Sequence, residues 1–224
     1  MSRLETLNAR IRTAAALAGR SADEIILLAV SKKQPLERIH ALIAAGQRRF
    51  GENYVDEALA KMEALQVPSL EWHFIGPIQS NKTRQLAEHF DWVQSVDRLK
   101  LVRRLNDQRP EGAEPLNVLI QVNADAEPQK AGCDPDDIEA LAEAIGESPK
   151  LRLRGLMAIP APRTDPAGQA EVFARLQALY RDLAGRHPGV DTLSAGMSGD
   201  LEAAIANGST MVRVGTDLFG PRPD

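Results

Sequence analysis

The chain holds one cysteine, Cys133, so a disulfide within the chain and a thiolate metal cluster are both ruled out, in keeping with a reducing compartment. Its four histidines, His40, His73, His89 and His187, are scattered without metal-ligand spacing, and neither a structural nor a catalytic metal is expected. No apolar run approaches the length that spans a bilayer. Met1 to Arg20 carries Glu5 and several arginines in an amphipathic pattern rather than the continuous apolar core of a secretory signal, which predicts a cytoplasmic location. No block of Lys or Arg dominates, and the formal net charge is −4, so nucleic acid is not the expected partner. Arg103-Arg104 and the Arg152/Arg154 pair sit among apolar residues at helix or strand spacing and read as solvated edges of structured elements. Solenoid repeats, low-complexity tracts and Gly/Ser linkers are lacking, so residues 1–224 are expected to form one domain.

What the chain does have is a repeated alternation of short apolar runs with longer amphipathic segments, the pattern of parallel strands joined by helices. Leu4, Leu7, Ile11, Ala15 and Ala18 recur at helical spacing and Gly19 stops that segment. Strands are predicted over 25–30, 48–51, 72–76, 92–96, 116–123, 153–159, 192–195 and 211–215. Helices are predicted over 55–65, 83–89, 98–107, 135–145, 166–185 and 200–206, with a further helix opening at Pro35, where a missing N–H costs little. Asp165-Pro166 is a good cap and first-turn pair, and Val172, Phe173, Leu176, Leu179, Tyr180 and Leu183 form a core stripe. About eight strands in this order suit an α/β fold of the (β/α)8 TIM-barrel type. An open doubly wound sheet is less favoured, because no GxGxxG turn follows the first strand. Too little chain follows the last strand for a full eighth helix, so the extra N-terminal helix is expected to cover that gap.

In such barrels ligand groups gather at the carboxyl ends of the strands, with phosphate often between the loops after strands seven and eight. Those loops are Ala195-Gly196-Met197-Ser198-Gly199 and Gly215-Thr216. Their glycines admit a close backbone approach and Ser198 and Thr216 offer hydroxyls, with Ser198 at the expected start of the 200–206 helix. At the end of the first strand Lys32 is a placed amine, a nucleophile toward carbonyls once desolvation or a neighbouring cation lowers its pKa. Lys33 would point the opposite way on an extended chain, so only one of the two can face a site. Arg213 alternates against Val212 and Val214 in the last strand and needs either an ion-pair partner or a ligand. Asn53 ends the second strand, where it could reach the same mouth or simply cap a helix.

Together, Ala29-Val30-Ser31-Lys32, Phe50-Gly51-Glu52-Asn53-Tyr54, Trp72-His73-Phe74-Ile75-Gly76-Pro77, Arg154-Gly155-Leu156-Met157, Gly196-Met197-Ser198 and Met211-Val212-Arg213-Val214-Gly215-Thr216 resemble the pyridoxal phosphate homeostasis protein family. That family's barrel is similar to the amino-terminal domain of alanine racemase. The resemblance covers nearly the whole chain and implies that Lys32 holds pyridoxal 5′-phosphate (PLP) as a Schiff base, with Ser198, Gly215 and Thr216 at its phosphate. It implies also that Arg213 faces the pyridine nitrogen and that Asn53 contributes to the pocket. A guanidinium there disfavours protonation of the ring nitrogen, which suits a protein that carries the cofactor without using it.

The function so implied is intracellular PLP (vitamin B6) homeostasis, with delivery to PLP-dependent apo-enzymes and no catalysis. The alternative is a weak amino-acid racemase with Lys32 as one base and Tyr54 or water as the other; a lysine-dependent aldolase ranks below it. Lys33 and Lys130 are rival amines, and Gly199 stands where family members often carry an acidic residue. With no obvious exposed apolar helix, a monomer is expected.

Overall fold

The structure, a computed structural model, describes residues 2–125 and 131–220. Eight parallel strands, β1 (Ile26–Val30), β2 (Arg49–Glu52), β3 (Glu71–Phe74), β4 (Trp92–Val96), β5 (Leu116–Gln121), β6 (Leu151–Met157), β7 (Thr192–Ser194) and β8 (Met211–Val214), close in sequence order into a barrel. Closure is made by β1 pairing with β8, Leu28 standing beside Arg213. Around it lie α1 (Arg3–Leu17), α2 (Leu36–Ala44), α3 (Val55–Leu65), α4 (Thr83–His89), α5 (Leu99–Gln108), α6 (Ile138–Gly146), α7 (Pro166–Arg186), α8 (Leu201–Ala206) and the short α9 (Thr216–Phe219). The expected (β/α)8 barrel with an added N-terminal helix is what is found.

Alternation along each strand divides the core. Ala29, Phe50, Val93, Val118, Val212 and Val214 face outward and join the helices in one continuous apolar layer. Inward, the lumen holds two small apolar groups, Leu28/Ile75/Met211 and Trp92/Leu119/Met157, and between them the buried polar side chains of His73, Gln94, Ser194 and Arg213. A barrel lumen is ordinarily filled by branched apolar residues, so this polar content is informative about the site.

Helix ends follow local chemistry. Ser2 and Glu5 form a reciprocal capping box at α1, and Asp165 accepts from the Gly168 N–H at 2.5 Å ahead of Pro166 at α7. Pro35, by contrast, is extended (φ −69°, ψ 153°) and caps α2 instead of opening it, and Pro135 begins a 3-10 turn that precedes α6. α1 packs on α8 and α9 and so covers the gap that the short C-terminal segment leaves. Arg10 secures the contact, its guanidinium reaching Glu202 at 2.9 Å, Asp217 at 2.5 Å and the Ser198 carbonyl at 3.1 Å.

Candidate functional site

A cavity of about 250 Å³ opens at the carboxyl ends of the strands, and Lys32, Asn53, Ser198, Arg213, Gly215 and Thr216 all line it. The structure thus brings every sequence-predicted site residue to one place. Ile75 and Met197, from two of the quoted motifs, also line it, as do Gln34 and Ile159, which carry no sequence signal that separates them from ordinary loop residues.

Lys32 sits on the turn that follows β1. Its two neighbours are both fixed. The Ser31 N–H donates to the Gly51 carbonyl at 3.0 Å, and the Ser31 hydroxyl donates to Glu52 Oε1 at 2.6 Å. Lys33 adopts a left-handed conformation (φ 57°) and its N–H donates to Glu57 Oε1 at 2.5 Å. The turn, rather than strand alternation, therefore separates the two amines: Lys32 lines the cavity while Lys33 is exposed outside it. Lys130 lies outside the described residues. Beneath the turn, the buried Lys61 donates to the Ser31 carbonyl at 2.7 Å, to Glu52 Oε1 at 2.7 Å and to Glu57 Oε1 at 2.6 Å. Burial raises the Glu52 carboxyl above its ordinary range, with Lys61 opposing that shift.

Asn53 leaves β2 toward the cavity. Its side-chain oxygen is buried and has no hydrogen-bond partner among the described residues. The backbone here is pressed against the loop after β3: a Cβ on Gly76 would stand 2.2 Å from the Asn53 carbonyl oxygen, so only glycine fits. Tyr54 is 52% exposed and is not among the residues that line the cavity.

The two loops expected at a phosphate do meet at the cavity. Ser198 is not, however, the cap of α8. That helix begins at Leu201 with Asp200 as its flanking residue, and Asp200 Oδ1 accepts from the Met197 N–H at 2.6 Å. The loop is thus shaped from behind, by Asp200, and Ser198 lines the cavity. Gly196 turns the chain at φ 97°, where a side chain would also strike Ala204.

Arg213 points into the lumen and is almost fully buried. Among the described residues its neighbours are neutral: Nη1 donates to the Ser194 carbonyl and to Ser194 Oγ, both at 2.7 Å, and Nη2 donates to the Ala158 carbonyl at 2.7 Å. Among the described residues no ion pair across strands holds it. Burial pulls the guanidinium down to about 10, with the Asp200 carboxylate opposing the shift. A cation so placed, with an amine and hydroxyls in the same cavity, suits an anionic, carbonyl-bearing ligand.

The model of the alanine racemase N-terminal domain family matches residues 3–223. The chain is 58% identical over 214 residues to the pyridoxal phosphate homeostasis protein of Pseudomonas aeruginosa, covering 96% of this chain and 92% of that relative. This chain belongs to the pyridoxal phosphate homeostasis protein family. The family member of Escherichia coli K12 is 55% identical over 216 residues, with 95% and 92% covered. Among solved structures, PipY of Synechococcus elongatus PCC7942 with PLP bound superposes with a TM-score of 0.82 at 39% identity, covering 94% of this chain and all of that one (100%). Alanine racemase of Clostridium difficile 630 shares the fold, with a TM-score of 0.76 at 14% identity, but this chain spans only 57% of its length.

Among the described residues no helix is long and apolar enough to cross a membrane, and no cluster of His, Cys, Asp or Glu is arranged to hold a metal.

Proposed function

We propose that this chain binds PLP as a Schiff base on Lys32 and serves intracellular PLP homeostasis, holding the cofactor and supplying it to apo-enzymes without catalysing a reaction. The observation that carries this reading is the convergence of Lys32, Ser198, Gly215, Thr216 and Arg213 on one cavity. The residues fit the cofactor. The buried Asn53 oxygen lacks a partner among the described residues, and the two Gly/Ser/Thr loops offer donors to a phosphate. High identity to relatives named for PLP homeostasis and the PLP-bound PipY structure support the same assignment.

When bound, PLP supplies an aldehyde that condenses with an amine, forming a C=N bond and releasing water, and hydrolysis returns both partners. The protein's own part would be to place the Lys32 amine, offer Ser198, Gly215 and Thr216 to the phosphate, and present the Arg213 cation to the ring. Such a cation would oppose protonation of the ring nitrogen and so disfavour loss of a substrate's α-proton. A racemase needs a second proton donor on the opposite face, and Tyr54 does not line the cavity. On this reading 1–224 is one cofactor-binding barrel, acting as a monomer in the cytoplasm.

Visible absorbance, borohydride reduction and peptide mass spectrometry on the PLP-loaded protein test it. A pyridoxyl adduct on Lys32, absent from Lys32→Ala, is expected; no adduct, or one confined to Lys33 or Lys130, overturns the assignment. Retention of a Cα deuterium in both alanine enantiomers is expected with the loaded protein, and washout of the label would instead establish a racemase.

A further inference from the structure

Beneath the cavity the polar residues of the barrel lumen form a single unbroken series. The Arg213 Nη1 lies 2.7 Å from Ser194 Oγ, and Ser194 Oγ lies 2.7 Å from Gln94 Oε1. Gln94 Nε2 then lies 2.8 Å from His73 Nδ1, and His73 Nε2 lies 2.8 Å from Glu71 Oε1. Side chains from β8, β7, β4 and β3 are thereby linked from the cavity floor to the opposite end of the barrel. His73, Gln94 and Ser194 are buried, and none of the three lines the cavity.

Both ends fix the polarity of every link. Arg213 can only donate, so Ser194 Oγ accepts from it, and the Ser194 proton is donated to Gln94 Oε1. That turns the Gln94 amide so that its N–H faces His73, whose Nδ1 must be the bare, accepting nitrogen. The proton of the neutral ring then sits on Nε2 and is donated to Glu71. Burial pushes Glu71 up, but His73 and Arg49 outweigh it and hold the carboxyl below its ordinary value, so Glu71 is an acceptor at neutral pH. Burial likewise lowers the His73 imidazole, with Glu71 and Asp91 opposing and Arg49 assisting, which keeps the ring neutral. Four hydrogen bonds therefore all point the same way, from a buried cation to a carboxylate, and dipoles aligned in series reinforce one another.

We propose that His73, Gln94 and Ser194 are positioning residues for the ligand pocket, a directional relay that ties the Arg213 guanidinium to the Glu71 carboxylate. The relay compensates a cation whose direct hydrogen-bond partners among the described residues are all neutral, and fixes its orientation, so that its charge is available to whatever ring or anion occupies the cavity. It rests on the reading of that cavity as a PLP site. Because the links are coupled, a group placed against Arg213 is felt at His73 although the two side chains do not touch.

Nitrogen-15 NMR of the His73 ring tests this in the full chain, with and without PLP. In the cofactor-free wild type, Nε2 is expected to carry the proton and Nδ1 to accept. Ser194→Ala leaves Arg213 its two carbonyl partners yet severs the relay, and is expected to shift the His73 ring signals. Addition of PLP is expected to shift them in the wild type and not in Ser194→Ala, while the borohydride adduct on Lys32 forms in both. Gln94→Leu, which removes both the acceptor for Ser194 and the donor to His73, supplies the same comparison should Ser194→Ala not fold. His73 signals indifferent to these substitutions in the cofactor-free protein overturn the relay itself. An equal response to PLP in wild type and variant overturns the positioning role. Absence of a Lys32 adduct from the wild type overturns the PLP reading and the positioning role with it, and leaves the cofactor-free comparison to decide the relay.

Discussion

Lys61 Nζ stands 2.7 Å from the carbonyl oxygen of Ser31, the residue before Lys32, and shares Glu57 Oε1 with the N–H of Lys33, the residue after it. A buried ammonium on α3 thus clamps both shoulders of the turn that carries the cavity amine. Lys61→Met removes the clamp and leaves Glu52 as a buried charge without its partner, a change that costs about 3–5 kcal/mol. Burial already places the folded-state pKa of Glu52 above its unfolded value, and losing Lys61 raises it further. A raised carboxyl contributes stability below the unfolded pKa and loses it as pH rises through the folded one. The deficit of Lys61→Met in urea unfolding is therefore expected to be larger at pH 7.5 than near pH 4.5, and Lys61→Met/Glu52→Gln is expected to recover part of it. A deficit independent of pH would place the loss in packing alone.

Arg10 links α1 to the loop that carries Ser198 through the Ser198 carbonyl at 3.1 Å, and to Glu202 and Asp217 by ion pairs. These pairs are solvent-accessible, and such pairs contribute about 0–1 kcal/mol to stability. Arg10→Ala is accordingly expected to move Tm very little. The Ser198 loop loses one tether, and a hydrogen bond of about 1 kcal/mol corresponds to roughly a fivefold change in affinity. Titration with PLP should show that weakening, whereas an unchanged Kd would make α1 a cover without influence on the loop.

Cys133 is buried beside the parallel bridge it makes with Val122. Burial, with Asp137 and Asp97 adding to it, pushes its thiol up to about 12. At pH 8 roughly one thiol in ten thousand is then ionised, and only the thiolate attacks. An aromatic disulfide reagent is expected to leave the native protein unmodified at pH 8 and to titrate its thiol fully in urea. Rapid labelling of the native chain would show that the segment opens.

The elements with long, clean patterns were the most legible in the sequence: α3, α4 and β4 fall at the predicted bounds, Val55–Leu65, Thr83–His89 and Trp92–Val96. The helix turn α9 was not, because Thr216–Phe219 is too short to show a period. Pro35 misled by a single position, since proline is as much at home in the extended cap as in the first turn. The cavity residues could be named because glycine, serine and lysine at strand ends carry their own chemistry. The lumen relay could not. His73, Gln94 and Ser194 are each an ordinary inward position of a strand, and only barrel closure brings Ser194 to Gln94, 100 residues away in the chain. Lys61 was equally hidden, being spaced from Glu57 as in any exposed i,i+4 pair and buried only because α3 packs on β2.

His73 makes the relay measurable through stability as well as through ligand binding. Its ring is fully buried, stacks on Trp92 with centroids 5.0 Å apart, and faces Glu71, Asp91 and Arg49. Burial lowers its folded-state pKa, so the unfolded chain binds the additional proton first as pH falls. The contribution of His73 is therefore complete above the unfolded value near 6.5 and is lost as pH falls toward the depressed folded value. Glu71 is held below its ordinary value of 4.5, and Asp91, raised from 3.8 by burial, is present in wild type and variant alike, so the difference between the two slopes reports the ring. Between pH 7.5 and pH 5.5 the wild type is expected to lose stability. His73→Gln, which keeps a donor for Glu71 and an acceptor for Gln94 without a titrating ring, is expected to show a flatter slope across the same interval. Urea unfolding at matched ionic strength gives both slopes. Equal slopes in the two proteins would mean that His73 takes up its proton without opening the barrel, and the neutral ring on which the relay's polarity depends would have to be abandoned.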